Sequence, residues 1–297
     1  MRRTLFFGLA TLVALGCQLL GGIDEVYLVA NANDGGDGGA NKPGEDAPTS
    51  SDAPSDGPVD SGACGVKEGP PMVRVDVAGG GRYCIDSTEV TIGQYGRFLD
   101  RLIEGDPLDV PSYCRPFVVL DAKYTPKRDL DPTRQNLPRS DVLFCHAYAY
   151  CRWAGKRLCG KIGGGAALDR SNGGHDPNVG NEWDYACING LDQTKFSYGP
   201  NPSTNTCNLN ATYTDVKSKA DCHGARPPFD QIFDMSGNVP EYVLHVEDET
   251  TDAGHTRITG GRYGDGDMDN GACGGSRDVF FDFASFEAGI RCCADAP

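Results

Sequence analysis

The sequence predicts one α+β domain over residues 64–297, irregular in outline and rich in loops and disulfides. Three observations predict it. Residues 72–187 mix period-2 apolar runs with helical apolar faces. Residues 190–297 are Gly- and Asp-rich with only short apolar runs, a composition that supports little regular structure. The chain also carries thirteen cysteines, and setting Cys17 aside leaves an even number for pairing.

The elements follow in order. Met72, Val73, Val75 and Val77 give a mostly alternating strand, Ala78-Gly79-Gly80-Gly81 a turn, and Arg82–Asp86 the returning strand. Thr91 with Gln94 three residues later is a capping box. From there Ile92, Tyr95, Leu99, Leu102 and Ile103 hold one helical face as far as Gly105. A second helix is expected from Ser140 or Asp141 to Gly155, a C′ glycine, and a shorter third helix from near Asn181.

Ahead of the domain, residues 1–17 read as an export signal. Arg2 and Arg3 supply the positive start, and Leu5–Leu15 is apolar but too short to span a bilayer. Ala14-Leu15-Gly16-Cys17 is similar to a bacterial lipobox, with cleavage before Cys17 and lipid on its sulfur. The plainer reading is an ordinary signal peptide with an incidental cysteine. A lipid on Cys17 followed by Gln18 places the chain at the outer membrane or cell surface. Residues 18–63 read as a tether. Over 31–63 they are mostly Gly, Asp, Pro, Ser, Ala and Asn, too poor in large apolar groups to offset the entropy of ordering.

A formal net charge of −15 argues against nucleic acid as a partner, because phosphates need a basic footprint. The histidines, His146, His175, His223, His245 and His255, show no metal-binding spacing, and neither a Gly-x-Ser-x-Gly elbow nor a P-loop is present. In an exported chain the cysteines argue for disulfides over zinc, since no Cys-x-x-Cys pair occurs. Expected pairs are Cys159–Cys187, Cys207–Cys222, and Cys273 with either Cys292 or Cys293.

The stretch that carries most chemistry is Phe233–Tyr242. Asp234 and Glu241 flank Ser236-Gly237-Asn238, and Gly237 and Asn238 tolerate the positive φ that curls a backbone. Two readings stand: a tight turn with two solvated acids, or a loop that surrounds a hard cation such as calcium with carboxylate and carbonyl oxygens. Asp265-x-Asp267-x-Asp269 begins like an EF-hand loop but fails where Asn270 and Ser276 stand, so it reads as a solvated acidic loop, with a pocket-lining acid as the functional alternative.

The segment Asp234-Met235-Ser236-Gly237-Asn238-Val239-Pro240-Glu241-Tyr242 resembles a signature of the formylglycine-generating enzyme, or sulfatase-modifying factor, family. Other pieces match in order: Tyr83–Thr91 with Gln94-Tyr95 and Phe98-Leu99, Ala147–Leu158, Glu182–Ala186, Gly260-Gly261, and Gly289-Ile290-Arg291-Cys292. The resemblance covers about residues 72–294 and implies a C-type-lectin-like fold. It also implies calcium, held by the Asp234 side chain, the Gly237 and Val239 carbonyls and the Glu241 carboxylate, with a second site near Asn208 and Asp221. Pro240 stands where the family has Trp, removing an aromatic group and an N–H donor. Between Leu158 and Asn181 the chain carries an insertion, expected as a surface loop.

Active members of that family oxidise a substrate cysteine through two cysteines that bind Cu(I), a soft metal that prefers thiolates. Asp265 and Asn270 occupy those two places here, so copper and formylglycine-generating activity are not expected. Two functions remain. One is a calcium-stabilised surface module that binds a glycan or protein; the alternative is an oxidoreductase of the formylglycine-generating type with a changed site.

Overall fold

The computed structural model describes residues 64–65, 67–103, 110–118, 129–170, 176–209, 212–245, 254–261, 271–281 and 288–297. The export signal, Cys17, the tether, His175, Asp265, Asp267, Asp269 and Asn270 lie outside the described residues.

Two antiparallel sheets organise the domain. The first contains β1 (Met72–Asp76), β2 (Arg82–Asp86), β7 (Cys292–Asp295) and β3 (Arg157–Leu158), in that spatial order. The second runs β4 (Glu241–Val243), β5 (His255–Thr259), β6 (Ser276–Phe280). The β1–β2 hairpin pairs Met72 with Asp86 and Asp76 with Arg82, and the glycine turn between them closes through Val77 N–H to Gly81 O at 3.0 Å. A parallel bridge from Glu241 to Gly289 ties the start of β4 to the segment that leads into β7.

Three helices flank the sheets: α1 (Ile92–Ile103), α2 (Phe144–Trp153) and α3 (Glu182–Cys187). The expected capping box forms. Gln94 N–H donates to Thr91 Oγ1 at 3.2 Å, and Thr91 N–H donates to Gln94 Oε1 at 2.9 Å. α2 begins later than the sequence suggests, because Asp141 adopts a left-handed φ of 58° and breaks the helical run. Its end is as read: Gly155 has φ 71°, and Lys156 N–H returns to Cys151 O at 2.8 Å.

The core has two main parts. One packs α1 and α2 through Tyr95, Phe98, Phe144 and Tyr150 against Tyr242, Ile290 and Cys292. The other packs the hairpin, through Val73, Val75, Tyr83 and Ile85, against α3 and Phe229, Ile232 and Met235. The strand β7 lies between them, and its two cysteines point to opposite faces as the strand period requires. Cys292 bonds Cys151 of α2, and Cys293 bonds Cys159 beyond β3.

These pairs correct two expectations. Cys159 does not pair with Cys187, and Cys273 pairs with neither Cys292 nor Cys293; Cys187 bonds Cys273. Sheet register decides this. β3 lies beside β7 with Leu158 opposite Cys292 and Arg157 opposite Cys293, which carries Cys159 to Cys293. The remaining bonds are Cys64–Cys84, Cys114–Cys145 and Cys207–Cys222. In a chain-entropy account the widest loops, closed by Cys151–Cys292 and Cys159–Cys293, restrict the unfolded chain most, by about 4–5 kcal/mol each.

The insertion after Leu158 is more than a surface loop. Ala167 N–H donates to Leu244 O at 2.6 Å, and buried Arg170 ion-pairs with Asp184 and hydrogen-bonds Thr259 Oγ1. Arg170 thereby joins the loop to α3 and β5.

His146, in the first turn of α2, is buried, and burial followed by the charge of Arg139 holds its pKa down at about 4. A histidine whose folded pKa lies below its unfolded value near 6.5 favours the native state fully above pH 6.5. That contribution fades as pH falls from 6.5 through 4. His146→Gln is therefore expected to reduce the acid destabilisation between these pH values by up to about 3 kcal/mol, read by urea unfolding at a series of pH values.

Candidate functional site

The Phe233–Tyr242 segment is curled, as its sequence suggests, but it is buried rather than solvated. Asp234, Gly237 and Asn238 have φ of 59°, 92° and 58°. Gly237 is required there: a Cβ would lie 2.4 Å from the Asn208 carbonyl oxygen. Asn238 then fastens the loop on all sides. Its N–H donates to Asn208 O at 2.8 Å, and its Oδ1 accepts from Thr214 N–H at 2.9 Å and Asn208 Nδ2 at 3.1 Å. Its Nδ2 donates to Glu89 Oε1 at 3.0 Å.

The two acids of the loop have different partners. Asp234 is buried, its Oδ2 accepting from Lys217 N–H at 2.5 Å. Glu241 opens β4 and is held by Arg291 Nε at 2.8 Å and by the indole Nε1–H of Trp183 at 2.6 Å. Arg291, fully buried, also donates from Nη1 to Asp86 O and from Nη2 to Phe233 O, both at 2.8 Å. Glu89 completes the group, with Oε2 4.0 Å from Arg291 Nη2 and lacking any hydrogen-bond partner.

Three buried carboxylates thus surround one guanidinium. The imbalance shows in their proton affinities. Burial, then repulsion from Asp234, pushes the Glu89 carboxyl well above the usual range, and burial pushes Asp234 up to about 6. The centre has room for added positive charge, which a proton or a cation can supply.

The expected calcium ligands can be tested against this geometry. Asp234 and the Gly237 and Val239 carbonyls are hard oxygen donors on one curled backbone, and the buried negative excess suits a cation. The Glu241 carboxylate accepts from Arg291 Nε and from Trp183 Nε1. The carboxylates of Glu89, Asp234 and Glu241 do not converge within 4.8 Å of one another, so they do not share one ion as they stand. Asn208 is buried beside the loop, with its Nδ2 turned to Thr212 O and Asn238, whereas Asp221 is exposed. Among the described residues, the trio of metal-ligating types that does converge is Cys159, Glu182 and Cys293. Its sulfurs form a disulfide, and Glu182 is bidentate to Arg157 at 2.6 Å.

Glu89, Trp183 and Arg291 lie within the motif segments read from the sequence, yet their meeting at Glu241 was not legible there. Only the burial of all of them signals it.

A family model described as a sulfatase-modifying factor enzyme 1-like domain matches residues 54–296. The chain belongs to that family. A solved structure of CarF is similar at 17% identity and TM-score 0.51, over 76% of this chain and 99% of that one. PvdO from Pseudomonas aeruginosa aligns at 16% identity and TM-score 0.44, over 77% of this chain and 90% of that one. No curated protein matches the chain. The irregular, disulfide-rich α+β class expected from the sequence is the fold observed.

Arg291→Met removes the cation from a centre of three buried acids. Breaking a buried pair in this way is expected to cost about 3–5 kcal/mol, measured as a lower urea midpoint. A variant within 1 kcal/mol, roughly, of the parent would mean that Glu241 finds another partner.

Proposed function

We propose that this chain is a calcium-stabilised binding or accessory module of the sulfatase-modifying-factor type, without formylglycine-generating activity. One observation carries the reading: every cysteine from Cys64 to Cys293 is held in a disulfide. With Asp265 and Asn270 at the places of the family's copper ligands, no reduced thiol pair is left for Cu(I). Calcium would be held by the Asp234 carboxylate and the Gly237 and Val239 carbonyls, and it would neutralise part of the charge that Arg291 leaves unbalanced. The ion would act as a structural cation. Glu241 would serve from behind, fixing β4 through Arg291 and Trp183. The partner is a glycan or protein, met at the outer membrane or cell surface, where lipid on Cys17 and the 18–63 segment would tether the domain.

The test uses the purified chain. Calcium is expected to raise the thermal midpoint. At free calcium about a hundredfold above its dissociation constant the gain is about 2.7 kcal/mol. Asp234→Asn is expected to abolish the response. Incubation with copper, O₂ and a cysteine-containing sulfatase peptide is expected to leave the peptide unchanged. Stoichiometric copper retained on dialysis, with peptide conversion, would restore the oxidoreductase alternative. No thermal response to calcium would remove the metal from the proposal.

A further inference from the structure

A buried lysine meets an acid where β2 ends and α2 turns into β3. Lys156 Nζ stands 2.5 Å from Asp86 Oδ1, and both side chains are fully buried. Backbone groups hold the two partners from their other sides. Lys156 Nζ also donates to Pro70 O at 2.9 Å, and Asp86 Oδ2 accepts from Cys292 N–H at 2.9 Å.

A third side chain faces the pair. The Tyr150 hydroxyl is buried and has no hydrogen-bond partner. It shares the space beside Gly69 with the ammonium: a Cβ on Gly69 would lie 2.5 Å from Tyr150 Oη and 3.4 Å from Lys156 Nζ.

An amine and a carboxyl group in contact, shielded from water, are arranged to condense. As an ion pair, both partners bear the desolvation cost of a buried charge. Transfer of one proton across the contact gives the neutral amine and acid. Burial favours that form, raising the Asp86 carboxyl above its ordinary value against the pull of Lys156. A desolvated lysine amine is a nucleophile toward carbonyl carbon. Joining the two as an amide removes both charges from the interior and releases one water.

The surrounding groups suit that step. Cys292 N–H, already on Oδ2, can hold the negative charge that builds on this oxygen as Nζ adds to Cγ. Pro70 O orients the amine and then accepts the N–H that the amide retains. The Tyr150 O–H can give a proton to the departing oxygen and recover one from Nζ.

We propose that Lys156 and Asp86 are joined by an isopeptide bond that the folded chain forms by itself. The Nζ–Cγ bond forms and the Cγ–Oδ1 bond breaks. Oδ1 leaves as water with two protons from the ammonium, so no oxidant, reductant or activated donor is consumed. The link ties the end of β2 to the residue before β3 without a sulfur, so it survives reduction that opens the disulfides.

The experiment is peptide mapping of the purified chain after unfolding, disulfide reduction and alkylation. Trypsin is expected to yield one branched species that contains Asp86 and Lys156 and weighs one water less than its two parts, with fragmentation placing the link at these residues. Lys156→Arg keeps the charge but not the amine, and it is expected to give two separate peptides. If that variant does not fold, the parent map decides. Tyr150→Phe, which removes only the hydroxyl, is expected to leave a larger unlinked share than the parent in chain harvested soon after synthesis; an equal share would remove Tyr150 from the step. Parent peptides of Asp86 and Lys156 recovered only as separate species, or a loss of water that maps to a succinimide at an Asp-Gly pair instead, would overturn the bond and leave an ordinary buried ion pair.

Discussion

The domain depends on the guanidinium of Arg291. From one buried position it reaches three separated parts of the chain: the Glu241 carboxylate in β4, the Asp86 carbonyl at the end of β2, and the Phe233 carbonyl at the start of the curled loop. A buried charge needs such complete satisfaction, because each missing hydrogen bond there costs far more than at the surface. The strand β7, which begins just after Arg291, is held just as firmly. Cys292 N–H donates to Asp86 Oδ2 at 2.9 Å, while Asp86 Oδ1 takes the buried ammonium of Lys156 at 2.5 Å. The two disulfides of Cys292 and Cys293 then fix β7 to both core layers.

This arrangement explains how a domain with little regular structure keeps one conformation. Its strands are short and its helices few, so backbone ladders alone supply limited order. Buried polar hubs take over that task. Arg291 joins the sheets, Arg170 joins the inserted loop to α3, and Asn238 joins the curled loop to Asn208, Thr214 and Glu89. A hub of this kind tolerates only a narrow geometry, which is why Gly237 must lie against the Asn208 carbonyl and Asp234 and Asn238 must take left-handed backbone.

Much of the fold was legible in the sequence, because it is written in local chemistry. The alternating Val73 and Val75, the triple glycine turn, the Thr91–Gln94 capping box and the C′ glycine at Gly155 each act through neighbours a few residues away. The start of α2 differs from the sequence reading because Asp141, a residue helices accept, takes a left-handed φ of 58°. Likewise the loop acids were recognised as a pair of interest, but their burial was not. Asp and Glu in a glycine-containing turn normally face water, and only the packing of Trp183 and Arg291 against Glu241 reverses that.

By itself, then, the sequence determined the local elements, the even cysteine set and the family signature. The tertiary structure alone decided which cysteines pair and which acid meets Arg291. The reason is physical. Capping, turn formation and strand alternation are short-range along the chain, whereas disulfide pairing and charge satisfaction depend on register and burial, which bring together residues such as Glu89, Trp183, Glu241 and Arg291 from across the whole domain.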